Sequence, residues 1–158
     1  MATRHPDVGA LRGLLGFDWR RIDRLYEEDE LVAPEPIDPY HRIDVRDSSR
    51  RLRISLDDVV LAERAAPRLL FETTARPRFY VTAEELRTEL LEPSSLRTSC
   101  QYKGEAEHFH ARVGHRLVED LVWRYPTPRE DGRRIAGRYA IHHERCRTEV
   151  DGHLLSDE

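Results

Sequence analysis

From Ile43 onward the chain breaks into short runs in which apolar and polar side chains alternate. Leu52, Ile54 and Leu56 alternate with Arg51, Arg53 and Ser55, which is the period-2 pattern of a half-buried strand. Asp57-Asp58 then offers a two-residue turn into Val59-Val60-Leu61-Ala62, so this stretch predicts a hairpin. Leu69-Leu70-Phe71-Glu72 and Arg78-Phe79-Tyr80-Val81 predict two further strands. Thr82 with Glu85 three residues on is a capping-box pattern. Leu86, Leu90 and Leu91 supply an apolar face and Pro93 a stop, so one short helix is expected near 82–91. Ala106 to Val113 alternates again, and Gly114-His115 suits a II′-type turn into a return strand from Leu117-Val118. Val122-Trp123-Arg124-Tyr125 predicts an aromatic strand closed by Pro126 and Pro128. Arg138 to His143 and Thr148 to Leu155 predict closing strands, with Asp151-Gly152 as a turn. Many short strands with one helix predict a mainly β (α+β) antiparallel domain.

The beginning of the chain reads differently. Leu11, Leu14, Leu15 and Trp19 have helical spacing, so a short helix is expected there. Glu27 to Asp38 concentrates acidic residues with Pro34, Pro36 and Pro39, which predicts an extended linker. The expected organisation is an arm over residues 1–42, a single β-rich domain over 43–155 and a tail at 156–158.

Composition narrows the function classes. With 158 residues the chain is long enough for one domain with its own core, and 35% charged against 39% hydrophobic residues predicts a heavily ionised surface. A net charge of -4 gives no basic footprint for nucleic acid. No apolar run reaches the roughly 20 residues that span a bilayer, so no membrane partner is expected. The first residues, Met1-Ala2-Thr3-Arg4-His5-Pro6, lack a signal-peptide core, and two cysteines suit reduced thiols; a cytoplasmic location is expected.

Two motifs stand out: Cys100-Gln101-Tyr102-Lys103-Gly104, and Trp123-Arg124-Tyr125-Pro126. Together they resemble the signature of the domain-of-unknown-function 427 family, whose usual forms are Cys-Pro-Tyr-Lys-Gly and Ala-Trp-Ser-Tyr-Pro. The resemblance runs from about Phe17 to Gly152 through an ordered series: Phe17-Asp18-Trp19, Tyr26 to Glu30, Asp38 to Arg42, Leu70-Phe71-Glu72-Thr73, Leu90 to Ser94, and Asp120 to Pro128. It implies a twisted, open, tent-like β architecture. It also implies the second copy of a bacterial tandem protein, with the first copy reduced to a remnant. Gln101, Arg124, Thr82 and His108 depart from the family's usual residues at their positions.

Lys103 lies three residues after Cys100, so its ammonium could stabilise a thiolate. On that reading Cys100 and Lys103 are catalytic or ligand-contacting; on the plainer one they are a buried thiol and a turn-capping lysine. The resemblance, which places both in the signature, favours a pocket. Gly104 suits a positive φ beside it. Trp123 and Tyr125 share one strand face and could wall a pocket with a phenol handle, or anchor a core. Glu72 is the acidic candidate to pair with Lys103, and Tyr102 and His108 complete the expected ligand-binding set. His108 and His110 have the spacing that puts two imidazoles on one side of a strand. No cofactor and no intrinsic metal site are expected, and His108 with His110 would be the ligands of any such site.

No Gly-rich phosphate loop and no Gly-Ser with an Asp-x-Asp pair occurs, so nothing in these residues supports the nucleotidyltransferase-like label sometimes attached to the family. Three readings follow. One is a small-molecule pocket between the Cys100–Gly104 loop and Trp123–Tyr125. A second is a small enzyme using Cys100 or a histidine as nucleophile or base, with Lys103 as electrostatic stabiliser. The third is a homodimeric interaction module.

Overall fold

The computed structural model describes residues 2–4, 15–17, 23–27, 30–32 and 40–155, in two units, Met1–Pro39 and Tyr40–Glu158. In the first unit β1 (Ala2–Arg4) pairs antiparallel with β2 (Leu15–Phe17), and β3 (Leu25–Glu27) with β4 (Glu30–Val32). The expected helix around Leu11 to Trp19 is therefore corrected at Leu15–Phe17, which is strand; Leu11, Leu14 and Trp19 lie outside the described residues. Within the stretch read as an extended linker, Glu27 and Glu30 belong to a hairpin, and residues 33–39 lie outside the described ones.

The second unit carries eleven strands: β5 (Ile43–Asp47), β6 (Arg51–Leu56), β7 (Val59–Ala65), β8 (Arg68–Glu72), β9 (Arg78–Val81), β10 (Leu91–Cys100), β11 (Gly104–Val113), β12 (Arg116–Arg124), β13 (Tyr139–Ile141), β14 (Arg147–Val150) and β15 (His153–Leu154). A seven-stranded antiparallel sheet runs β10-β11-β12-β13-β9-β8-β5, and a four-stranded one runs β15-β14-β6-β7. The fold is mainly β, as the alternation predicts. Asp57-Asp58, Gly114-His115 and Asp151-Gly152 make the predicted tight turns, with Leu56 opposite Val59, Val113 opposite Arg116 and Val150 opposite His153.

The helix expected near 82–91 is not formed. The Thr82 amide does donate to the Glu85 carboxylate at 3.0 Å, so the capping box is present. It closes only a 3₁₀ turn, Ala83–Glu85, after which Leu86 is extended (φ -113°, ψ 135°) and bridges to Ala62. The Arg87 amide donates to the Leu61 carbonyl at 2.8 Å before a second 3₁₀ turn, Thr88–Leu90. Docking the buried Leu86 on β7 competes with continuing the helix and wins, a tertiary override of local propensity. Pro93 falls inside β10, where it is tolerated because β10 is an edge strand with a register shift between Pro93 and Arg97.

The two faces of the seven-stranded sheet have different roles. Leu69, Phe79, Val122 and Ile141 join Leu52, Ile54, Leu61 and Leu121 in the core shared with the four-stranded sheet. One residue along in each strand, Leu70, Tyr80, Trp123 and Ala140 pack on the opposite face with Val45, Ala106, Tyr125 and Ile135. Each fully buried leucine or isoleucine stabilises the fold by about 1.5–3 kcal/mol. The pleat thus delivers one set of side chains to the main core and the alternate set to the face that holds the candidate site. Among the described residues no helix is long and apolar enough to cross a membrane.

Candidate functional site

On that second face, Leu70 and Glu72 from β8, Arg78 and Tyr80 from β9, Thr98 from β10, His108 from β11 and Trp123 from β12 stand at alternate positions of their strands. With Lys103, Tyr125, His142, Ala75 and Arg76 they line a cavity of about 190 Å³. A larger groove of about 590 Å³ crosses the four-stranded sheet between Arg51, Arg53, Glu63, Arg64 and Glu149. That groove is walled largely by exposed charged side chains and contains none of the candidate residues, so the chemistry points to the smaller cavity.

Lys103 is held from several sides. β10 ends at Cys100 opposite Gly104, so Gln101, Tyr102 and Lys103 form the connecting turn. The Arg129 amide donates to the Lys103 carbonyl at 3.1 Å, and the Arg129 guanidinium to the Gln101 carbonyl at 2.7 Å. A Cβ on Gly132 would meet Lys103 Cα and Cγ at 3.6 Å, so the backbone of 132 is a wall behind the lysine. The buried Lys103 ammonium donates to Glu72 Oε2, and Glu72 Oε1 lies 3.2 Å from His41 Nε2. His41 stacks on Tyr102 with ring centroids 4.0 Å apart and planes 9° apart. Glu72, His41, Tyr102 and Lys103 are therefore one assembly, of which Glu72 and Lys103 line the cavity and Tyr102 does not.

A second assembly stands on Trp123. Arg78 makes a bidentate pair with Glu144 at 2.5 and 3.0 Å, and its guanidinium lies 5.6 Å from the Trp123 ring centroid. His142 Nδ1 lies 3.2 Å from Glu144 Oε1, with its ring 4.5 Å from that of Trp123. Burial opposes ionisation of Glu144, but Arg78, the backbone amide and His142 outweigh it and hold the carboxyl at about 2. Burial suppresses ionisation of the Tyr80 hydroxyl, an effect that the neighbouring Trp123 indole partly offsets. Tyr125 is likewise pushed up by burial, with Cys100 and Glu72 nearby, so both phenols are neutral hydrogen-bonding groups.

His108 is 8% exposed. Its Nε2 lies 2.9 Å from Thr98 Oγ1, while its Nδ1 is buried with no hydrogen-bond partner among the described residues. Desolvation lowers its pKa, which His142 and Arg97 reinforce and Asp120 opposes, so the ring is neutral at physiological pH.

Of the residues singled out from sequence, Glu72, Lys103, His108, Trp123 and Tyr125 line one cavity. Cys100 does not; it is half-buried at the edge of the Tyr125 cluster. Gly104 takes φ 96° and shapes the turn without lining the cavity. His110 Nδ1 accepts from the Asp120 amide at 3.1 Å, and among the described residues no three His, Cys, Asp or Glu side chains gather as a metal set. Arg78, Tyr80, Thr98 and His41 were not anticipated. Arg78 and Tyr80 were within reach, because their parity within a predicted strand puts them on one face; His41 and Thr98 gave no such signal.

No curated protein matches the chain. The family model described as Domain of unknown function (DUF427) matches residues 44–152, which contain both signature motifs and every cavity-lining residue, and the chain belongs to that family.

Proposed function

We propose that the β-rich unit is a small-molecule-binding domain, and that its ligand is a compact polar or carbonyl-bearing molecule seated between the Cys100–Gly104 turn and Trp123–Tyr125. The observation that carries this reading is the buried Lys103 ammonium. It is paired with Glu72, which His41 also contacts, and it lines a cavity that it shares with Leu70, the rings of Tyr80, His108, Trp123 and Tyr125, and the arginines Arg76 and Arg78. An ammonium uses one of three donors on Glu72, so others are available to an acceptor on a ligand. A few fixed polar groups among apolar walls is the usual make-up of a ligand site. At ~30 Å³ per water-sized group, a cavity of about 190 Å³ suits a molecule of roughly six such groups.

Native mass spectrometry of freshly purified protein, against a denatured control, tests the reading. An extra small mass lost on denaturation is expected, and Lys103→Ala should abolish it. A bare mass, with no thermal stabilisation by any member of a small polar-compound library, sinks it. The same spectra report monomer or dimer and so weigh the interaction reading. A nucleophilic role for Cys100 has less support, because its side chain is not among those lining the cavity.

A further inference from the structure

We infer that Arg68, Arg134 and Arg138 form a second binding site, at the opposite end of β8 from Glu72, and that it takes a phosphoryl dianion, free or as a small monoester. None of the three lines the cavity, so the site is independent of the ligand proposed there.

The chain delivers these arginines from three places. Arg68 opens β8, Arg134 belongs to the 3₁₀ segment Glu130–Ile135, and Arg138 immediately precedes β13. Register brings the outer two together: Arg68 stands opposite Tyr80, and Tyr80 opposite Ala140, two residues after Arg138. Asp47 ties Arg68 to Arg134, its Oδ1 accepting from Arg68 Nε at 2.9 Å and its Oδ2 from Arg134 Nη2 at 2.7 Å. Arg68 Nη1 also donates to the Arg134 carbonyl at 2.5 Å, and Arg134 Nη1 to the Val45 carbonyl.

Arg138 has no comparable partner; its side chain makes no hydrogen bond or ion pair among the described residues. Burial and then the charges of Arg68 and Arg64 oppose its ionisation, and Glu85 and Asp47 do not make up the difference. An arginine stays charged at neutral pH all the same. Glu85 is itself paired with Arg64 at 2.5 Å. That leaves Asp47, on which Arg68, Arg134 and Arg138 all act, as one carboxylate among three guanidiniums, a surplus of two positive charges. Donors for an anion are open. Arg138 Nη1 is enclosed and takes no part, but Arg138 Nε and Nη2 and Arg68 Nη2 carry no hydrogen bond and reach solvent. A tetrahedral dianion offers oxygens to more than one guanidinium fork and cancels a surplus of two, which a carboxylate monoanion does not.

Isothermal titration of the full chain with inorganic phosphate, methyl phosphate and acetate tests the site, at constant ionic strength and about pH 8, where the phosphoryl group is a dianion. Both phosphoryl compounds should bind saturably and about tenfold or more tightly than acetate. Tighter binding of methyl phosphate assigns the ester, and equal or tighter binding of inorganic phosphate the free anion. Arg138→Gln should weaken phosphate binding about tenfold or more, the effect of losing a charge-assisted hydrogen bond. Its melting temperature without phosphate should stay at or above that of the native protein, because the change removes a repulsion and breaks no pair. Arg138→Lys, which keeps the charge and loses the fork, should fall between the two. Arg53→Gln, on the four-stranded sheet, should leave phosphate binding as it was. Acetate binding as tightly as phosphate, no saturable phosphate binding, or equal losses in Arg53→Gln and Arg138→Gln overturns the inference. A marked drop in the melting temperature of Arg138→Gln also overturns it, because the arginine would then be a structural element rather than a ligand contact.

Discussion

Lys103 and Glu72, 31 positions apart in sequence, form a largely buried ion pair in which the lysine ammonium donates to Oε2 of a half-buried carboxylate that also meets His41. Removing one partner leaves the other charge under-compensated in a mostly desolvated place. Lys103→Met is expected to destabilise the fold by about 3 kcal/mol, within the range seen when a buried pair is broken from one side. Glu72→Gln with Lys103→Met should cost less than the sum of the single changes, because neither charge is then stranded. Urea unfolding of the four proteins measures the coupling, and strict additivity would mean that solvent screens the pair.

Acid should weaken the Arg78–Glu144 contact in a defined window. The free carboxyl titrates near 4.5 and the folded one at about 2. The contribution is therefore complete above pH 4.5 and drains away as pH falls toward 2. Melting temperature should drop more steeply across that interval in the native protein than in Glu144→Gln. Superimposable pH profiles would show that the pair contributes nothing, the usual fate of a solvent-screened contact.

The turn that carries Lys103 depends on Gly104. Its φ of 96° disfavours a side chain, and a Cβ would meet the Thr127 carbonyl oxygen at 3.3 Å. Gly104→Ala should cost about 1–3 kcal/mol. Gly114 also has a positive φ, 56°, but nothing lies within 4 Å of its Cβ position, so Gly114→Ala should cost less. Thermal melts that rank the two the other way would place the crowding elsewhere.

Burial pushes the Cys146 thiol up to about 11. At pH 8 its thiolate fraction, and with it the alkylation rate, should be about two-hundredfold below that of an ordinary cysteine with pKa ~8.5. Timed iodoacetamide labelling with peptide mapping checks this, and Cys146 labelling as fast as a model thiol would refute it.

How far the fold could be read depended on where each element's stability comes from. The Arg51–Leu56 strand and the Asp57-Asp58 turn were legible because alternation and turn chemistry act within a few residues. The 82–91 segment was not, because its capping box is real but Leu86 bridges to Ala62 and the Arg87 amide bonds to the Leu61 carbonyl, some 24 to 26 residues earlier. The site divides the same way. Glu72, Lys103, His108, Trp123 and Tyr125 could be picked by residue type, motif and parity, whereas the arrival of Arg78, Thr98 and His41 beside them follows from strand order.

By itself, the sequence determined the strand periods, the tight turns, the signature turn around Lys103 and membership of the family, because each is carried by neighbouring residues or by an ordered motif. Only the tertiary structure decided that β8, β9, β10, β11 and β12 would bring Glu72, Arg78, Thr98, His108 and Trp123 onto one face of one sheet. It alone decided that Cys100 would stand aside and that His108 Nδ1 would be left without a partner. Pairing between distant strands fixes those positions, and pairing partners are chosen by the packing of the whole sheet rather than by any local stretch of chain.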